Sequence, residues 1–409
     1  MATDARRGRE LVHRARESLV GLIGIALVTR CLTDTGFQIF YPFLPMLAGG
    51  LGLSTARMGQ LLGLRNLTGL LSPVFGALAD RQGFRKWLRI ELLGLSAGFL
   101  LLALGPSLPV KVFGFVLSGV ATLAFVPTLQ GYLSHRLRYS MRARGIGIVE
   151  YGWAFAGIAG LSTAGWIIER TSWEVPFVIL GIGMAVLFVV YYLLPPGHPE
   201  SARQRLSDPA AGRRQQLTDL VGSLSRSAWA TIACTGCLSF AMFNVLIVFG
   251  DWLTQTYGLG AGDMGRVAMA MGIADLCGSI GASAYSDRIG KRRAVLAGGV
   301  LAIAAFVLLP ILGNSLVGAV GGLMLMRVAL EFAIVSMLAF ASEQDSHRRG
   351  QMMSMMGAAN FSASAIGGFT GPWSFLRLGI TGPSLLAVAG MLACTVLNIG
   401  FMREPQGRD

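Results

Sequence analysis

Charge is scarce in this chain. Of its 409 residues 13% are Asp, Glu, Lys or Arg, whereas soluble domains carry charge on about a quarter of theirs. Hydrophobic residues make up 53% and the mean hydropathy is +0.61, which excludes a mainly soluble protein. Cysteine and histidine are also sparse. Cys31, Cys234, Cys237, Cys277 and Cys394 all lie inside apolar runs. Cys234 and Cys237 form a CxxC, but with no second pair or nearby histidine they read as small packing residues, not a metal or redox site. His13, His135, His198 and His347 fall outside the runs, so a histidine proton relay inside a membrane is excluded. No Walker sequence, GxSxG elbow, HExxH or clustered ligand set occurs. An enzyme, an ATP-driven pump, a cofactor and a bound metal are therefore not expected.

What the chain has instead is length of apolar sequence. Runs that can cross a bilayer, which takes about 20 residues, cover 19–46, 57–79, 88–108, 110–133, 145–168 and 175–195. They resume at 227–255, 264–286, 294–313, 316–340, 351–376 and 383–402. The pattern predicts an all-α polytopic membrane protein of twelve transmembrane helices in two six-helix bundles, 1–195 and 227–409. Between them, 196–226 reads as a cytoplasmic linker rich in Pro, Arg, Ser and Gln. Leu217, Leu220, Val221 and Leu224 recur there at helical spacing, which suits either a surface-lying amphipathic helix or an extension of the next run.

The net charge of +13 is a topology signal. With a cytoplasmic N-terminus, 26 of the 34 Lys and Arg fall on cytoplasmic segments, while Arg57, Lys111, Arg170, Arg266 and Arg377 fall on the other side. That is the positive-inside bias, and it places both termini in the cytoplasm and leaves no nucleic-acid partner to be inferred. The arginines at 6, 7, 9, 14 and 16 precede the first run as in a signal peptide. That run is too long and lacks a small-residue cleavage site, so it is expected to stay as the first helix.

One charged turn occurs twice, 207 positions apart: Gly76-Ala-Leu-Ala-Asp80-Arg81-Gln-Gly83-Phe-Arg85-Lys86 and Ser283-Ala-Tyr-Ser-Asp287-Arg288-Ile-Gly290-Lys291-Arg292-Arg293. A second echo, Arg142-Ala-Arg144-Gly145 and Arg348-Arg349-Gly350, is offset by 205. Two matches at nearly one offset indicate an internal duplication.

A charge in the bilayer core is costly, so those that remain are usually functional or paired. The segments 92–108, 175–195, 294–313 and 383–402 contain none, which marks every third run as a lipid-facing support. The other runs carry Arg30, Asp34, Arg65, Glu150, Asp275, Arg327 and Glu331. Arg30 and Asp34, like Arg327 and Glu331, are spaced i,i+4 and can pair on one helix face. A carboxylate beside a fixed arginine can load and release a proton; the alternative is a permanent structural pair. Asn244 and Asn360 are candidate substrate hydrogen-bonders or interhelical ties. Phe37, Tyr41, Tyr151, Trp153, Phe243 and Phe361 could wall a cavity for an amphipathic ligand. Glycines at 152, 157, 160, 165, 367, 368 and 371 predict close contact and bending in the fifth and eleventh runs.

On the signature Gly76, Asp80, Arg81, Gly83, Arg85, Lys86 and its echo Asp287, Arg288, Gly290, Lys291, Arg292, the chain resembles the major facilitator superfamily over essentially its full length. Ser283 stands where that family prefers Gly. The resemblance implies two bundles rocking about a cavity lined by runs 1, 4, 7 and 10. It also implies a cytoplasmic gate in which Asp80 meets the positive N-terminus of run 11 and Asp287 that of run 5. Arg81, Arg85, Arg288 and Arg292 would complete that latch or bind lipid headgroups. Independently of the resemblance, Glu150 lies so near the cytoplasmic start of the fifth run that a gate or snorkelling role competes with proton binding. Within the superfamily the chain looks most similar to the twelve-helix drug:proton antiporters. It lacks the proline of their run 5 motif, and Phe115 stands four residues before Gly119 where they place Arg, which moves expected coupling to Asp34 and Glu331, with Asp275 a further candidate.

The function so implied is export of small amphipathic molecules across the inner (cytoplasmic) membrane by proton antiport, as a monomer. The alternatives are a symporter or uniporter for a polar or anionic solute and, from another class, a non-transporting sensor or lipid-handling protein.

Overall fold

A computed structural model describes residues 19–137, 139–194, 224–344 and 349–404. The N-terminal arginines and the expected linker, apart from its last three residues, lie outside them.

Among the described residues every regular element is helical. The first half holds α1 (Leu19–Gln38), α2 (Leu44–Gly50), α3 (Thr55–Leu67), α4 (Ser72–Gln82), α5 (Phe84–Leu104), α6 (Leu108–Arg136), α7 (Tyr139–Glu150), α8 (Gly152–Phe155), α9 (Ser162–Arg170) and α10 (Val175–Leu193). The second holds α11 (Arg226–Leu246), α12 (Phe249–Tyr257), α13 (Ala261–Ile289), α14 (Lys291–Leu312), α15 (Leu316–Gln344), α16 (Arg349–Leu378) and α17 (Thr381–Phe401). Ten helical stretches among the described residues are long and apolar enough to cross a membrane. The fifth and eleventh expected runs are helical as well but fall short of that measure. The fifth is interrupted by a π turn, Ala156–Leu161, and α16 is diluted by Asn, Ser, Thr, Gly and Pro372.

Several apolar runs fold as two helices. The first stops at Gln38 and restarts at Leu44, where Pro42 and Pro45 deny backbone donors and restrict their predecessors. The second tightens into a 3₁₀ turn, Thr68–Leu71, ahead of Pro73. Many large apolar side chains on the long helices, among them Leu104, Ile182, Val317, Leu376 and Val396, are exposed. A hydrocarbon surround accounts for them, because it rewards an apolar exterior provided the backbone is satisfied within each helix. Thr29, Thr33 and Thr35 obey the same rule by donating their hydroxyls to carbonyls of α1 one turn back.

The described chain forms two compact units. One comprises α1, α4 to α8 and α10, and the other α2, α3, α9 and α11 to α17. The chain passes between units after residues 38, 70 and 156, each time at a helix interruption, and after 173 in a loop. In the first unit α5 packs on α6 and α10, and α1 on α7, α8 and α10. Gly98 and Gly114 permit the α5–α6 approach: a Cβ on either would lie 2.6 Å from a backbone nitrogen of the other helix. In the second unit α11 packs on α16 and α17, and α15 on α13 and α14.

Candidate functional site

Two clusters of buried charge emerge, one in each unit. In the first, α1 presents Arg30 and Asp34 on one face, with Nε 2.7 Å from Oδ2. The expected i,i+4 pair is therefore present, although the N–H is not aimed at the oxygen, so the attraction is mainly coulombic. A second carboxylate joins it. Arg30 Nη2 lies 3.3 Å from Glu150 Oε2, and Gln130 of α6 donates to Glu150 Oε1 at 2.8 Å. Glu150, grouped with the gate on sequence, also contacts this cluster, with its side chain 42% exposed. Phe37 and Trp153 pack against each other at a tilt, with ring centroids 6.0 Å apart and planes at 47°.

In the second unit the sequence spacing misleads about partners. Arg327 of α15 holds Asp275 of α13 bidentately, Nε to Oδ1 at 2.7 Å and Nη2 to Oδ2 at 2.5 Å, and its Nη1 lies 3.3 Å from Met242 Sδ. Glu331, expected to pair with Arg327 along the helix, accepts from Ser279 of α13 at 2.9 Å. Gly278 makes this crossing close, since a Cβ there would meet the Val328 carbonyl at 2.7 Å. A fork-shaped guanidinium prefers the carboxylate that matches both its donors, and a neighbouring helix offers that geometry where its own turn does not.

Arg65 is fully buried over the Phe40 ring, 4.7 Å from its centroid. Asn244 makes the interhelical contact of a tie: its Nδ2 donates to the Phe240 carbonyl and its Oδ1 accepts from Thr370 of α16, both at 2.8 Å. Asn360 likewise accepts from Ser239 of α11. Tyr41 and Phe243 pack edge to face, with centroids 5.9 Å apart. Cys234 Sγ donates to the Cys394 carbonyl at 3.4 Å, as a packing cysteine does. Among the described residues no group of three His, Cys, Asp or Glu could hold a metal ion.

The duplicated turns fold alike. Gly83 and Gly290 have φ of +99° and +92°, a region favouring glycine, and each ends one helix and starts the next. Two residues on, the repeated arginines do the same work. Arg85 Nη1 donates to the Leu194 carbonyl at 2.5 Å, just past α10. Arg292 donates from Nε to the Asn398 carbonyl at 3.2 Å and from Nη2 to that of Ile399 at 2.8 Å, in the last turn of α17. Each caps the final helix of its half, a contact with carbonyls that the residue pattern does not disclose. Gly76 leaves open space for a Cβ, Arg81 and Arg288 are exposed, and Asp287 is exposed beside Lys291 at 3.4 Å. The Asp80 side chain and Arg348 lie outside what is described. Arg85→Gln and Arg292→Gln are each expected to lower stability by roughly 1–3 kcal/mol, the worth of a charged hydrogen bond, with the double variant additive. Thermal unfolding in detergent checks this; a negligible shift in both single variants would refute the capping role.

Sequence reasoning also missed Glu91. The structure begins α5 at Phe84, so this acid lies two turns inside a helix taken as uncharged from residue 92 onward.

A protein of transmembrane helices that retains charged clusters deep among them is built as a secondary transporter is. The chain belongs to the Major Facilitator Superfamily, whose family model matches residues 26–372 and 231–408. It is a transporter and not an enzyme. It is similar to the uncharacterised MFS-type transporter YceJ of Bacillus subtilis, 24% identical over 82% of this chain and 84% of the relative. It is also similar to the class C tetracycline resistance protein of Escherichia coli, 24% identical over 72% and 74%. Its fold is similar to that of a D-xylose–proton symporter crystal structure, with TM-score 0.77 and 16% identity over 96% of this chain and 100% of that one.

Proposed function

We propose that the protein exports small amphipathic molecules across the inner membrane in exchange for protons, its two six-helix halves alternating access. The observation that carries this reading is charge balance. Arg30 stands with Asp34 and Glu150, and Arg327 lies beside α13 and α15 carboxyls Asp275 and Glu331, so each cluster has one carboxyl more than it has arginines. An excess carboxyl at that depth can take a proton when water reaches it and give it up when a cationic ligand or the opposite side competes. Asp34 and Glu331 are the coupling acids, and Asp275 is held by both donors of Arg327. The similarity to a tetracycline resistance protein favours an exporter. The cytoplasmic gate assigned to Gly76, Asp80, Arg81, Gly83, Arg85, Glu150, Asp287, Arg288, Gly290 and Arg292 remains part of the proposal, as do cytoplasmic termini and a monomeric state.

A symporter for an organic anion fits less well. Arg30 and Arg327 already hold carboxylates, and such a substrate would have to displace Asp34 or Asp275. Proteoliposomes with an imposed pH gradient separate the two. Lipophilic cations should accumulate against their gradient and collapse when the pH gradient is dissipated. Movement of sugars or organic anions with the proton, and none of lipophilic cations, would overturn the exporter reading.

A further inference from the structure

Glu91 of α5 is buried to 3% exposure, seven residues from the start of its helix, about 10 Å along the axis at 1.5 Å per residue. Its Oε1 lies 2.8 Å from Thr128 Oγ1 of α6, and that hydroxyl oxygen lies 2.9 Å from the Ala124 carbonyl. Glu91 Oε2 is buried with no hydrogen-bond partner among the described residues. The hydroxyl has one proton and two oxygens in range. The carbonyl can only accept, so both contacts are full hydrogen bonds only when Glu91 supplies a proton of its own. In that state the acid donates to Thr128, Thr128 donates to Ala124, and Oε2 is left as an under-satisfied carbonyl oxygen. The ionised state would instead bury a carboxylate on a single neutral donor, a far larger cost.

The surrounding charges do not offset it. On its own helix Arg85 is engaged at the Leu194 carbonyl, Lys86 on Gln82, and Arg89 stacks on Phe188 and Tyr192 of α10. From α6 the ionisable groups are Lys111, Tyr132, His135 and Arg136, from α10 Tyr191 and Tyr192, and from α4 Asp80 and Arg81. Tyr132, one turn beyond Thr128, and Tyr191, packed on Phe125, are the buried ones, and both are neutral phenols. Pro127, just before Thr128, removes a backbone hydrogen bond from α6 at this level.

We infer that Glu91 is a proton-binding site separate from both charged clusters, held as the neutral acid and tying α5 to α6 beside the proline break. Losing its proton breaks the chain of hydrogen bonds and loosens that joint. Infrared difference spectra of native protein against Glu91→Gln should contain the carbonyl stretch of a protonated acid at neutral pH. Thr128→Val should shift that band toward a weaker hydrogen bond, and Thr128→Ser should leave it in place. The stability slope carries a sign. Wherever the folded chain keeps a proton that the unfolded chain has released, stability falls as pH rises, by about tenfold in the folding equilibrium per pH unit, and levels off once Glu91 ionises. The glutamine variant should lack that fall. The Thr128 variants read the band even if Glu91→Gln folds poorly. No protonated-acid band dependent on Glu91 or Thr128, or an identical pH slope in native and variant protein, overturns the inference.

Discussion

Arg327→Met is expected to leave little folded protein. It strips the guanidinium that holds the Asp275 carboxylate bidentately, in a site where Asp275 is 3% exposed. Removing one member of a buried ion pair typically costs about 3–5 kcal/mol, because the survivor remains as an uncompensated charge. That is a large part of the roughly 5–15 kcal/mol by which native proteins are stable. Ser279, one turn along α13, is already engaged with Glu331. The double variant Arg327→Met/Asp275→Leu should recover most of the loss, since well-packed apolar groups often serve as well as a buried pair. Size-exclusion profiles and thermal midpoints in detergent measure both steps. The same double variant tests the assignment of Asp275 to a structural pair with Arg327. It should keep pH-gradient-driven transport, and losing it in a folded double variant would move Asp275 into the coupling machinery.

These two helices also illustrate what a sequence can and cannot disclose. Arg30–Asp34 was legible because its geometry is local: four residues on a helix fix the distance between side chains whatever the rest of the chain does. Arg327 offered the same spacing to Glu331 but meets Asp275, 52 positions away, because the helix crossing at Gly278 decides which carboxylate reaches both donors. Apolar runs disclosed the helical membrane fold, whereas the interruptions near Pro42, Pro73 and Gly157 blurred where each helix ends. Glu91 lies inside the 88–108 run, at the edge that the charge-free segment 92–108 leaves out; Gly83 starts α5 at Phe84 and so places this acid two turns inside the helix. Arg85 and Arg292 were recognised as duplicated, but their acceptors are carbonyls more than a hundred positions away, and carbonyls leave no mark in a residue pattern.

Asp34→Asn, in contrast to Arg327→Met, should fold and lose coupling. Arg30 does not depend on Asp34 alone, since Glu150 lies 3.3 Å from its Nη2 and is itself fixed by Gln130. The variant removes the excess carboxyl of this cluster and leaves one arginine facing one carboxylate, so no group there needs a proton to balance charge. Ligand should still equilibrate down its own gradient in counterflow, while accumulation driven by a pH gradient should disappear. Stability separates this reading from a merely structural pair. Asp34→Asn and Glu150→Gln singly should each shift the thermal midpoint modestly. Together they leave Arg30 buried without a carboxylate, and the double variant should lose about 3–5 kcal/mol, well beyond the sum of the two. Additive effects would mean that the two carboxylates do not share Arg30. Full gradient-driven accumulation in a well-folded Asp34→Asn protein would remove Asp34 from the coupling path and leave that role to Glu331.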